Sequence, residues 1–324
     1  MSMINVAHSN GLELVSLENG KVRATFIPQI GGKMIELRNL ATDTQFLLEP
    51  RDGFQNIKHP SYGDPFGIDH AYGFDECFPT VEASINPENT VESESAGVEF
   101  PDHGELWSRP WKYEIKGEEL LLHTFGVQSD YVFRKSVCLN GKRITFNYFI
   151  KSFSEAPLPF LWSAHPLLRV EPGVKLILPK SVVSVLLNSA SDEKIGKYGD
   201  VLPWPRLSAD GNDFSVVKGM DASIAVKCFT EKIGEEGRAI VQYPKSGESL
   251  AIQFKPTEIP YLGIWLTYGG WPSDSKEKQL AVAIEPATGR PDSLQKAFER
   301  DEFSFLRPGT EGSWSWSIEL SDSE

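Results

Sequence analysis

Cysteine is scarce: Cys77, Cys138 and Cys228 are the only three in 324 residues. Three scattered thiols make neither a disulfide framework nor a paired-cysteine zinc site, and they predict reduced, mostly buried side chains in a reducing compartment. Positive charge is also in short supply. The 32 Lys+Arg against 45 Asp+Glu leave a formal charge of −13. That balance argues against nucleic acid or an anionic membrane as partner, since both require basic patches. Long apolar runs are missing too; stretches such as Ser181–Leu187 fall far short of the roughly 20 residues that span a bilayer. The start, Met1-Ser2-Met3-Ile4-Asn5-Val6, lacks the basic residues and apolar run of a secretory signal. A soluble, cytoplasmic protein is expected.

Several familiar chemistries are absent as well. There is no P-loop, no Gly-rich strand-to-helix fingerprint, no Gly-x-Ser-x-Gly elbow and no HExxH. Gly31-Gly32-Lys33 lacks the upstream glycine spacing of a phosphate loop and reads as a turn. Six histidines (His8, His59, His70, His103, His123, His165) are spread too widely to demand a metal. Asp75-Glu76 suits a solvated or sugar-binding acidic pair better than a metal site.

What the chain does have is strand periodicity. Lys21–Ile27 and Ala251–Phe254 alternate in period two, while 27 Gly and 22 Pro punctuate short runs. Asn19-Gly20, Asn140-Gly141 and Ser246-Gly247 each separate two such runs and predict hairpins, because these residues accept the positive φ of tight turns. Helical pattern is confined to Asp292–Phe298, where Asp292 is expected to cap and Gln295 to complete a capping box. The polar stretch Asn188–Asn212 reads as a long surface loop. No repeat and no low-complexity linker divides the chain. The expectation is an all-β protein, one large antiparallel β-sandwich over residues 1–324 with few short helices, large enough to need no disulfide or structural metal.

Three segments carry a titratable residue among Trp, Pro and Gly: Asp102–Trp111, Phe160–Leu168 and Val282–Gly289. Each sets a His or Glu at the end of a strand-like run, just before a turn, where β-sandwiches build ligand sites. Taken singly, such residues are usually structural: a His donating to a carbonyl, a Glu in solvent, a Trp in the core. Their order along the chain is more specific. Gly31–Leu37, Gly73-Phe74-Asp75-Glu76-Cys77-Phe78-Pro79, His103-Gly104, Ser163-Ala164-His165-Pro166 and Glu285-Pro286-Ala287-Thr288-Gly289 together resemble the aldose 1-epimerase, or galactose mutarotase-like, family. Leu306-Arg307-Pro308-Gly309 before Trp314-Ser315-Trp316 is similar to that family's last hairpin.

The resemblance implies a β-supersandwich and a cofactor-free isomerase that interconverts the α and β anomers of a free aldose. It matches Glu285 to the general base, His165 to the general acid, and His103 to the histidine that binds the sugar and polarises its ring oxygen. Residue type alone adds Trp107 or Trp162 as a stacking surface for an apolar sugar face, and Asp75 and Glu76 as acceptors of hydroxyl protons. The sequence also departs from the family. No Asn-Arg pair occurs in Gly63–Asp75, Leu167-Leu168-Arg169 follows the His-Pro motif, and the late acidic sugar contact has only Asp210 or Asp213 as matches. A sugar phosphate would require two or more converging cations. Arg38, Arg109 and Arg169 are the candidates, with Arg109 counted among the substrate-binding residues. A carbohydrate-binding module without turnover is the remaining alternative. No metal, nucleic acid or membrane is expected, and the oligomeric state is left open.

Overall fold

A computed structural model of the protein describes residues 2–87, 99–234 and 236–322. The alternating runs become strands of two large sheets packed face to face. The larger sheet takes thirteen strands, and its middle runs Lys33–Asn39, Phe74–Cys77, Ser163–Pro166, Leu280–Ala287, Tyr261–Tyr268 and Ile224–Thr230. The second has eight, with Ser249–Phe254, Glu311–Ser321, Arg143–Ser152 and Tyr131–Asn140 at its centre. Antiparallel ladders join neighbours in both.

The three expected hairpins all form. Leu12–Glu18 pairs with Val22–Ile27 across Asn19-Gly20, Tyr131–Asn140 with Arg143–Ser152 across Asn140-Gly141, and Arg238–Gln242 with Ser249–Phe254 across Ser246-Gly247. Two local expectations fail. Residues 188–212 are not all loop: Ser184–Ala190 pairs with Val201–Pro203 and Ile224–Thr230, so backbone pairing overrides the polar composition. The one α-helix among the described residues is Leu294–Glu299, and Ser293, not Asp292, caps it by accepting from the Lys296 amide. All three cysteines are free, with Cys77 and Cys228 buried and Cys138 half-buried.

Strand period decides what each sheet face carries. In Leu280–Ala287, Val282 and Ile284 enter the core between the sheets with Phe74, Ile264, Phe133, Tyr148 and Ile318. The alternate residues Ala281 and Ala283 face outward and pack with Phe66, Trp107 and Leu167 under loops that cover this side of the large sheet. Glu285 is in phase with the outward set. The same parity turns Lys227 outward between Val226 and Cys228, which belong to the core. So the middle strands present a second, smaller buried layer on their outer face, and the polar side chains gather there.

Candidate active site

Glu285 is placed by two neighbours. Gly263 lies opposite it in the adjacent strand, and a Cβ there would stand 3.0 Å from Glu285 Oε2. The missing side chain therefore leaves room for the carboxylate. On the other side Ser163 pairs with Ala287, which brings His165 alongside, its Nε2 3.7 Å from Glu285 Oε1. Lys227 forms a buried ion pair with Glu285 Oε2, and its Nζ also lies 3.4 Å from Asp292 Oδ1. One ammonium thus sits between two carboxylates.

His103 arrives on a turn. Its φ is 60° and that of Gly104 is 72°; a Cβ on Gly104 would meet Phe78 O at 2.1 Å, so only glycine permits this approach. The His103 amide donates to Val81 O at 2.7 Å, which pins the turn. Phe66 stacks on the His103 ring at 3.8 Å, and the His165 ring lies edge-on at 5.1 Å. His103 Nδ1 is 2.9 Å from Asp102 Oδ1, while Asp102 Oδ2 accepts from the Phe66 amide at 3.1 Å.

These groups surround a hollow of about 230 Å³, walled on its apolar side by Phe66, Trp265 and Trp271. His103, His165, Lys227 and Asp292 line it. A second hollow continues from it past Asp102 and Asp292 towards Tyr198 and Lys296. Glu285 does not line either; it is fully buried beneath His165 and Lys227.

Burial and neighbouring charge set the protonation states. Burial pushes the His165 imidazole well below its ordinary range, and the nearby charges of His103, Lys227 and Lys33 push the same way, so it is neutral at pH 7. Burial alone would lower Lys227, but Asp292 and Glu285 outweigh it and hold the ammonium well above its usual range. For Asp292, burial wins: it raises the carboxyl to about 6, with Lys227 opposing and Glu285 adding to the rise. Burial also raises Asp102, but the hydrogen bond and charge of His103 outweigh it, so the carboxyl falls below its usual range.

The other expected site residues lie elsewhere. Asp75 and Glu76 are adjacent in one strand and so face opposite ways. Asp75 is on the outer face, buried in an ion pair with Lys33 at 2.8 Å. Glu76 is inside the sandwich, accepting from Lys135 Nζ at 3.1 Å, Tyr148 Oη at 2.9 Å and Trp162 Nε1 at 2.9 Å. Neither lines the hollow, and Trp162 is a fully buried core residue with no face for a sugar. Trp107 is also buried, edge-on behind Phe66 at 5.1 Å, its indole N–H on Asp102 O. Arg109 points its guanidinium at the carbonyls of Phe125 and Gly126, and Arg38 pairs with Glu36 and Asp43. Arg169 is exposed on its short strand. None of these arginines reaches the hollow. Asp210 and Asp213 fold back on their own exposed turn.

Lys227, Asp292, Gln279 and the tryptophans 265 and 271 were not expected. A faint signal existed for Lys227, a lysine inside the apolar run Ile224-Ala225-Val226-Lys227-Cys228-Phe229.

Solved structures resemble nearly the whole chain. A galactose mutarotase related enzyme from Lactobacillus acidophilus superposes with a TM-score of 0.69 at 15% identity, covering 96% of this chain and 98% of its own. The chain has the galactose mutarotase-like fold. A galactose mutarotase-like protein from Lactobacillus casei gives 0.67 at 15% identity, with 95% and 100% covered. The Slr1438 protein of Synechocystis sp. PCC 6803 gives 0.70 at 18%, with 96% of each chain covered. No family model matches the sequence, and no curated protein does. On this galactose mutarotase-like scaffold, the buried carboxylate–lysine cluster and the two imidazoles lie on the outer face of the large sheet. No helix among the described residues is long and apolar enough to cross a membrane.

Proposed function

We propose that this protein is a mutarotase that interconverts the α and β anomers of a free aldose by acid/base ring opening and reclosure. The observation that carries the reading is convergence on one hollow. His103 and His165 line it together with Asp292 and Lys227, and Glu285 lies beneath them, sharing Lys227 with Asp292. Two buried oxygens of lining residues, Asp292 Oδ1 and Gln279 Oε1, have no hydrogen-bond partner among the described residues. Both accept, so the complementary ligand supplies hydroxyl donors, as a sugar does. The indoles of Trp265 and Trp271, set edge-on to one another, give the hollow apolar surface for a pyranose.

In the reaction, a carboxylate takes the proton from the anomeric hydroxyl, the O1–H pair becomes the C1=O1 bond, and C1–O5 breaks. O5 receives a proton from the imidazole pair. His103 has the better claim to that proton, because Asp102 at 2.9 Å provides the counter-ion. His165 is neutral and acts as a hydrogen-bonding partner beside it, a shift from the general acid that the sequence resemblance implies. Rotation about C1–C2 and reclosure with roles exchanged yield the other anomer. Each positioned acid or base supplies on the order of 10²–10⁴ in rate. The ring C–O bond opens and closes with proton transfer and no net oxidation or reduction, so the reaction calls for no cofactor.

A free sugar is favoured over a sugar phosphate. Lys227 is the only lysine or arginine lining the hollow among the described residues, and two carboxylates already neutralise it. NMR saturation exchange between anomers, surveyed over common aldoses with and without inorganic phosphate, is the test. Acceleration of at least one aldose, unaffected by phosphate, is expected. Sugar binding with unchanged anomer exchange would instead make the protein a carbohydrate-binding module.

A further inference from the structure

We propose that Asp292 is a further catalytic residue, the carboxylate that takes the anomeric proton, and that Glu285 acts on it from behind Lys227 as a positioning residue. The inference rests on the mutarotase reading and assigns its base.

Geometry separates the two carboxylates. Asp292 lines both the hollow and its continuation, whereas Glu285 has no exposed surface. The free oxygen of Glu285, Oε1, is buried with no hydrogen-bond partner and is covered by the His165 ring 3.7 Å away. Its other oxygen is occupied by Lys227 and by the Ser163 hydroxyl at 3.4 Å. A ligand hydroxyl that enters the hollow therefore meets Asp292 first. Asp292 is also held still: Asn188 Nδ2 donates to Oδ2 at 2.9 Å, and Lys227 Nζ stands 3.4 Å from Oδ1. Oδ1 has no hydrogen-bond partner among the described residues. A fixed acceptor with a free lone pair is what a proton-accepting carboxylate requires.

Its surroundings then make it basic enough. Lys227 and His103 bear on Asp292 as cationic groups, Glu285 and Glu82 as anions, and burial disfavours its charged form. Glu285 thus raises the basicity of Asp292 by repulsion, while its hold on Lys227 keeps the ammonium from claiming Asp292 outright. Two buried carboxylates in different surroundings, Asp292 in the wall of the hollow and Glu285 beneath it, can divide catalytic roles. The step balances simply. The O1–H proton passes to Asp292 Oδ1, the electron pair becomes C1=O1, and the pair of the broken C1–O5 bond takes a proton from the imidazoles; reclosure returns both protons.

The test compares Asp292→Asn, Asp292→Ser and Glu285→Gln with the wild type by anomer exchange over pH 4.5–8.5, with circular dichroism to check folding. Asp292→Asn and Asp292→Ser are expected to lose on the order of 10²-fold or more in kcat, with KM changed only a few-fold. Wild-type activity rises with pH through about 6. Glu285→Gln removes the repelling charge and frees Lys227 for Asp292, so its rise moves to lower pH while kcat stays well above that of Asp292→Asn. A folded Asp292→Asn with near wild-type kcat, beside an inactive Glu285→Gln, overturns the inference and leaves the mutarotase reading standing. A wild type that accelerates no aldose overturns both.

Discussion

Replacing Asp292 by Asn has a consequence for stability that can be worked from its surroundings. The carboxyl is raised from the ordinary 3.8 to about 6, chiefly by burial, with the attraction of Lys227 already counted against that rise. A carboxyl that binds its proton more tightly folded than unfolded favours the folded state while it is protonated. That contribution is complete below 3.8 and is lost as pH climbs through about 6. At about 1.4 kcal/mol per pH unit, ionised Asp292 costs the fold about 3 kcal/mol at pH 8. Asparagine resembles the protonated form in shape and charge, and its amide oxygen still accepts from Asn188. The variant should therefore be more stable than wild type at pH 8 by about that amount and nearly equal to it at pH 4. With an unfolding entropy near 2.1 cal/mol/K per residue, about 3 kcal/mol corresponds to a rise of roughly 4–5 °C in Tm for a chain of this length. Scanning calorimetry at the two pH values measures it. A variant destabilised at pH 8, or displaced equally at both, refutes the account of Asp292 as a net-unfavourable buried charge. The expected gain is the stability commonly sacrificed where a site needs a reactive group.

Removing Lys135 as Lys135→Met strands Glu76 inside the sandwich. A loss of about 3–5 kcal/mol is expected in urea unfolding, with any sugar binding to the refolded protein unchanged. Arg109→Ala removes a guanidinium that donates only to the carbonyls of Phe125 and Gly126 among the described residues and should leave anomer exchange within a few-fold of wild type; a large loss would place that guanidinium in the site. His103→Asn removes the imidazole that Asp102 contacts and should lower kcat by on the order of 10²-fold. If exchange kinetics are unchanged, His165 is the proton donor after all. Gly31→Ala adds a Cβ 2.4 Å from Trp107 O at a φ of 61°. It should reduce soluble yield or thermal stability markedly, and a neutral result would contradict the packing of that turn.

Local chemistry in the sequence accounts for much of the architecture. Asn19-Gly20 and Asn140-Gly141 specify hairpins because Gly20 and Gly141 take the positive φ of each turn, 78° and 59°, and the period-two runs around them become antiparallel neighbours. The titratable residues His103, His165 and Glu285 stand out by their own segments, and His165 and Glu285 prove to be neighbours through the pairing of Ser163 with Ala287. Parity along a strand could have separated Asp75 from Glu76, since adjacent residues cannot share a face. Which of the two enters the core, though, depends on where the second sheet packs, and no local pattern states that.

The remainder is decided by contacts between distant segments. Asp292 looks like a helix cap because it precedes a short helical run; the neighbouring Ser293 does that work, and the fold turns Asp292 towards a lysine 65 positions earlier. Lys227 is a single charge in an apolar strand until two carboxylates from other parts of the chain close on it. Local sequence determines backbone conformation through φ preference and side-chain alternation, which act over a few residues. Burial and the pairing of buried charges act through space, so only the packed sheets could set the protonation of Asp292 and His165.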